Sequence, residues 1–274
     1  MLKQRLLTAA VLVALSLTAI FLFSTLWFSV VLGVFLALGA GEWARLTKSA
    51  RSAALPVFPG VLVAVLISLW FFQHETALLL IVLGVAAVGW CVVLASLPRS
   101  ESLRPLHTYG DVTRFLVGLF LLVPPWLALI HLHATPHYGP WHVVFLFGLV
   151  SVADSAAYFA GRAWGKHKLA PHISPGKTRE GVYGALAVTG IYGAVGGGLF
   201  ELRGVKLAAF VTLCVVTVMF SIVGDLFESL VKRQAGAKDS GNVLPGHGGV
   251  LDRIDSLTAA APMFTLGLWL LEGV

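Results

Sequence analysis

Charge is what this sequence has least of. Only 12% of its 274 residues are Asp, Glu, Lys or Arg, against roughly a quarter in ordinary soluble domains, and the mean hydropathy is +0.89. No polar block is long enough to fold by itself, which leaves one integral membrane domain over 1–274. Cysteine is nearly absent. Cys91 and Cys214 both lie in apolar runs, where a thiol behaves as a small hydrophobe, so neither a disulfide framework nor a thiolate metal site is expected. No small-residue cleavage site follows the opening apolar stretch, which is also longer than the ~7–15 residue core of a signal peptide, so it reads as a retained first span. Internal repeats of the kind that build many transporters are missing. The formal charge of +6 fits membrane topology and anionic headgroups, not nucleic acid.

What is abundant is apolar sequence in lengths near the ~20 residues that cross a bilayer core. The expected fold is an all-α integral membrane protein of about nine transmembrane helices, at 5–24, 26–43, 55–72, 77–97, 114–134, 141–161, 181–201, 207–229 and 256–272. Pro124-Pro125 predicts a kink in the fifth, and Gly196-Gly197-Gly198 predicts close packing of the seventh. Seventeen of the nineteen Lys and Arg residues then fall on the side of the N-terminus, with only Arg203 and Lys206 opposite. By the positive-inside rule the N-terminus is cytoplasmic and the C-terminus external, in the inner (plasma) membrane. The helices of 1–135 have no assigned role, and 141–274 reads as the catalytic half.

Three polar clusters fall on the cytoplasmic side. The first is Ser151-x-x-Asp154-x-x-x-Tyr158-x-x-x-Arg162, aligned on one helix face and followed by a loop with Lys166. A carboxylate in a span needs a partner. Asp154 either pairs with Tyr158 or Arg162 or forms the polar wall of a site. The second is Ser174-Pro175-Gly176-Lys177-Thr178-Arg179-Glu180-Gly181. It is not a P-loop: that motif needs Gly where position 171 is Pro, and a strand is not expected here. A rigid turn at Pro175, with Lys177 and Arg179 and the amides of the following helix, suits an anion instead. The third runs from Asp225-x-x-Glu228 through Lys232-Arg233, Lys238-Asp239 and His247 to Asp252-x-x-Asp255. Each carboxylate pair shares a helix face, and the two pairs together suit a hard cation such as Mg²⁺; Glu228 alternatively pairs with Lys232. His131, His133, His137 and His142 on the outer side permit a metal site, although such histidines more often only line a loop.

The third cluster has a fixed order. Ser229-Leu-Val-Lys232-Arg233, Lys238-Asp239-Ser-Gly241, Leu244-Pro245-Gly246-His247-Gly248-Gly249 and Asp252-Arg253-Ile254-Asp255 follow one another with short spacers. Together they resemble the signature of the phosphatidate cytidylyltransferases, the CDP-diacylglycerol synthases. The segments around Asp154, Lys177 and Asp225 resemble that family's other polar stretches, with Gly176 and Arg179 departing from its usual residues. The resemblance covers the C-terminal half. It implies cytidylyl transfer from CTP to phosphatidate with release of pyrophosphate, assisted by Mg²⁺ and a second cation such as K⁺. Asp225, Asp252 and Asp255 become the expected metal ligands and, with Lys238, the catalytic set. Asp154, Tyr158, Arg162, Lys166, Ser174, Lys177, Thr178, Lys232, Arg233, His247 and Arg253 become the expected substrate-binding set.

The chemistry agrees with that implication. A phosphate monoester, with a second pKa near 6, is largely dianionic at neutral pH and needs little help from a base. The obstacle is bringing two polyanions together, which cations and basic side chains address. The expected partners are CTP and phosphatidate in the bilayer, with a homodimer allowed and nucleic acid excluded. The rivals are a CTP-dependent lipid kinase, a CDP-alcohol phosphotransferase, whose aspartate motif is missing, and a transporter.

Overall fold

A computed structural model describes residues 2–48, 57–243, 246 and 248–272. Among them are nine α-helices: α1 (Leu2–Leu22), α2 (Thr25–Leu46), α3 (Phe58–Phe71), α4 (Thr76–Ser96), α5 (Asp111–Ala134), α6 (Gly139–Trp164), α7 (Arg179–Leu199), α8 (Gly204–Gln234) and α9 (Leu251–Glu272). Among the described residues seven helices, α2 and α4 to α9, are long and apolar enough to cross a membrane, so the all-α membrane architecture holds.

The core is centred on α5. Its residues Leu121 to Ile130 are all buried, including both prolines, which the helix runs through unbroken. Indole N–H groups tie neighbouring helices to one another across this core. Trp126 donates to the Ser29 carbonyl at 3.1 Å, and Trp43 donates to the Arg114 carbonyl at 3.0 Å. Buried Arg114 in turn donates to the carbonyl of Thr47 at the end of α2, at 2.9 Å, meeting an acceptor that the helix itself leaves open. The glycine run of α7 does bring helices together. A Cβ at Gly196 would collide with Phe145 and one at Gly197 with Leu207, whereas Gly198 faces open space.

Three local differences from the sequence reading matter for the site. First, α8 continues to Gln234, so Lys232 and Arg233 lie on its last turn and not in a loop. Second, α9 starts at Leu251, ahead of the span expected at 256–272, and Asp252 and Asp255 share its first turns as expected. Third, strands β1 (Lys168–Ala170) and β2 (Ser174–Thr178) form an antiparallel hairpin where no strand was expected. The turn falls at 171–173, closed by Ile173 N–H donating to the Ala170 carbonyl at 3.2 Å, and Pro175 lies inside β2. The P-loop exclusion stands on Pro171 alone. Ile173 is 4% exposed and packs on Leu226 and Leu230 of α8 with Leu169 and Ala170 beside it, so the apolar residues around the tip seat the hairpin on the bundle.

Candidate active site

The C-termini of α2, α6 and α8, the N-termini of α7 and α9 and the hairpin meet at one end of the bundle, and all three polar clusters gather there. On α8 the one-turn spacing of Asp225 and Glu228 sets both on the face turned to α9, where Gly224 lets the backbone of Asp255 approach. Lys232, one turn beyond Glu228, places its Nζ 2.6 Å from Asp252 Oδ1 and 3.4 Å from Glu228 Oε1. From the hairpin, Lys177 Nζ meets Asp225 Oδ2 at 2.5 Å. Asp154 of α6 interacts electrostatically with both Lys177 and Asp225.

The carboxylates differ sharply in how they are satisfied. Asp252 accepts from Lys232, from the Gly249 N–H at 2.8 Å and from the Ser240 N–H at 2.9 Å, leaving little for a ligand. Asp225 accepts from Ser229 Oγ at 3.2 Å besides Lys177. Asp255 takes the N–H of Ser256 at 2.7 Å and lies against the Glu228 carboxylate. Both Glu228 oxygens are buried without a hydrogen-bond donor, Lys232 reaching only one of them, at ion-pair distance. A buried carboxylate without donors and against a second acid is the arrangement a hard cation relieves. Asp225, Glu228 and Asp255 therefore keep oxygens free for a cation, whereas those of Asp252 are taken. Among the described residues no group of three His, Cys, Asp or Glu side chains is gathered tightly enough to form a ready-made metal centre.

The expected substrate-binding residues divide in two. Lys177 and Lys232 enter the carboxylate cluster directly. Tyr158 and Arg162 pair with each other, Arg162 donating to the Tyr158 hydroxyl at 3.1 Å, so neither is the partner of Asp154. Thr178 is buried and caps α7, its hydroxyl accepting from the Gly181 N–H at 3.1 Å, which makes it an element of local structure. Arg233 donates to the Ile173 carbonyl at 3.4 Å and so holds the hairpin tip. Lys166, Lys238 and Arg253 are exposed at the rim and Ser174 is half-buried in β2. His247 lies outside the described residues, with Leu244 and Pro245. Of the outer histidines, His133 is buried between the Ile20 carbonyl and Thr25, and His142 is packed against Phe200, so these two serve helix packing.

Two residues were missed. His167 Nδ1 lies 2.6 Å from Glu180 Oε1, pinning the start of β1 to the first turn of α7. More important is Glu42 of α2, wholly buried, which accepts from Ser240 Oγ at 2.8 Å and from the N–H groups of Val250 and Leu251 at 2.9 Å. A Cβ at Gly241 or Gly249 would collide with its carboxylate, which explains both glycines sterically. The signal was available: Glu42 is the one acidic residue in the second apolar run, and a lone carboxylate in a span is costly without partners.

Helices that converge a cluster of carboxylates, met by two lysines, at one end of a membrane bundle mark a functional site. The chain belongs to the cytidylyltransferase family, whose sequence profile it matches over residues 3–271. It is 41% identical over 272 residues to a phosphatidate cytidylyltransferase of Pseudomonas aeruginosa, covering 98% of this chain and 97% of that one. A second phosphatidate cytidylyltransferase, from Haemophilus influenzae, is 38% identical over 293 residues, with 97% and 98% covered. A third, from Brucella suis, is 37% identical over 235 residues, with 82% and 78% covered.

Proposed function

We propose that this chain is a phosphatidate cytidylyltransferase, joining the phosphate of phosphatidate to the α-phosphorus of CTP and releasing pyrophosphate as CDP-diacylglycerol forms. The observation that carries the reading is end-to-end similarity to proteins of that name, and a cluster in which acids outnumber the lysines that face them agrees with it.

Asp225 and Asp255, with Glu228, are the residues we assign to Mg²⁺ and a second cation. When bound, such cations neutralise the two phosphate groups and stabilise the pyrophosphate leaving group. Asp252 keeps Lys232 in place beside them. Lys177 and Lys232 bind phosphate oxygens, and the exposed Lys238, Arg253, Arg162 and Lys166 draw CTP to the rim. The lipid phosphate, already dianionic, attacks without a base, so the protein's task is to align two polyanions and hold water out. Placing this end of the bundle in the cytoplasm follows from the distribution of basic residues and matches the side on which CTP is dissolved. Every assigned group comes from one chain, so the reading needs no second copy.

CTP labelled at the α- or the γ-phosphate, incubated with phosphatidate and purified protein, tests the reading. Label from the α-position is expected in the lipid and label from the γ-position in pyrophosphate. Lipid labelled only from the γ-position makes the protein a lipid kinase.

A further inference from the structure

Glu42 belongs to the N-terminal half, to which the sequence assigns no role, yet it grips the signature loop from both ends. Its carboxylate takes the Ser240 hydroxyl on one side of the loop and the N–H groups of Val250 and Leu251 on the other. Those two amides open α9 and have no acceptor within the helix, so an anion there is favoured by unmet hydrogen bonds and by the helix dipole. Ser240 also lies 3.1 Å from Asp252 Oδ2, so the contacts continue through Asp252 to Lys232 and Glu228 on α8. The mount is rigid. Next to Glu42, Trp43 donates to the Arg114 carbonyl, and Arg114 donates back to Thr47 at the end of the same helix.

We propose that Glu42 is a positioning residue for the transfer reaction: by clamping 240 to 250–251 it sets Asp252 and Asp255 on one side of the loop, and Lys238 on the other, at their working distances. A carboxylate serves where an amide does not, because only it offers two acceptor oxygens to three donors. The rate effect rests on the proposed transferase activity; the structural effect does not.

The experiment compares full-length wild type, Glu42→Gln and Ser240→Ala in detergent micelles by thermal unfolding, amide hydrogen exchange and kinetics with CTP and phosphatidate. In Glu42→Gln, exchange over 238–251 should accelerate while the other helices keep wild-type protection, and kcat should fall on the order of tenfold or more with a much smaller change in KM for CTP. Glu42→Asp should recover part of kcat. Faster exchange throughout the bundle in step with lost activity, or wild-type kcat in folded Glu42→Gln, overturns the proposal. If Glu42→Gln fails to fold, Ser240→Ala decides, since it keeps the α9 amides capped: faster loop exchange with lower kcat supports the clamp, and wild-type behaviour rejects it. Should wild type itself lack transferase activity, the exchange pattern still tests the clamp.

Discussion

Lys177 on the hairpin and Asp225 on α8 meet at 2.5 Å, so two polar stretches separated by the whole of α7 share one ion pair. About a quarter of each side chain is exposed, 27% and 24% respectively. Such a half-open pair contributes at most about 1 kcal/mol to stability. Lys177→Ala should therefore leave the thermal midpoint almost unchanged while turnover falls by on the order of a hundredfold. Parallel melting curves and initial rates check this, and a destabilised but fully active variant would return Lys177 to a structural role.

Asp252 and Asp255, one helical turn apart, should behave in opposite ways. The Lys232–Asp252 pair is nearly buried, with side-chain exposures of 11% and 6%. Removing one partner strands the other, at a cost of about 3–5 kcal/mol. Asp252→Asn should lose both stability and activity. Asp255 is withdrawn from water beside Asp225, so Asp255→Asn removes the cost of desolvating a carboxylate and its repulsion by Asp225, and should match or exceed wild-type stability while turnover disappears. Denaturation in detergent with both variants distinguishes the two roles, and equal destabilisation would contradict it.

Metal dependence separates the assignment of ligands from the assignment of the reaction. Added Mg²⁺ should raise the thermal midpoint of wild type and of Lys177→Ala and leave that of the Asp225→Asn/Asp255→Asn double variant unmoved. A shift retained in the double variant would place the ion elsewhere.

Ile173 is the anchor through which the hairpin delivers Lys177. Replacing it with Ser should undock the hairpin without melting the bundle. Trypsin cleavage after Lys168 and Lys177 should accelerate, turnover should fall at least tenfold, and the main unfolding transition should stay in place. Unchanged cleavage would show that the Arg233 contact to the Ile173 carbonyl suffices.

Orientation is tested by single cysteines in a chain whose Cys91 and Cys214 are replaced by Ala. Lys238→Cys should react with an impermeant maleimide only from the cytoplasmic side and Arg203→Cys only from the other. Both reacting from one side would invalidate the assigned topology.

Much was determined by sequence alone, because the forces concerned are local. Apolar run lengths located the helices, helical periodicity paired Asp225 with Glu228 and Asp252 with Asp255, and the resemblance of Ser229 to Asp255 to a known family's signature pointed to the chemistry. Tertiary structure decided what each carboxylate does. Asp252 and Asp255 carry the same expectation in the sequence, yet one is saturated by Lys232 and backbone amides and the other adjoins Glu228, which itself lacks hydrogen-bond donors. The hairpin eluded sequence reading because Ile173 gains its reason for burial only from Leu226 and Leu230, more than fifty positions away. Glu42 eluded it for the same reason at greater range: the donors that make its burial tolerable lie two hundred residues further along, and only folding brings a buried charge to the amides that satisfy it.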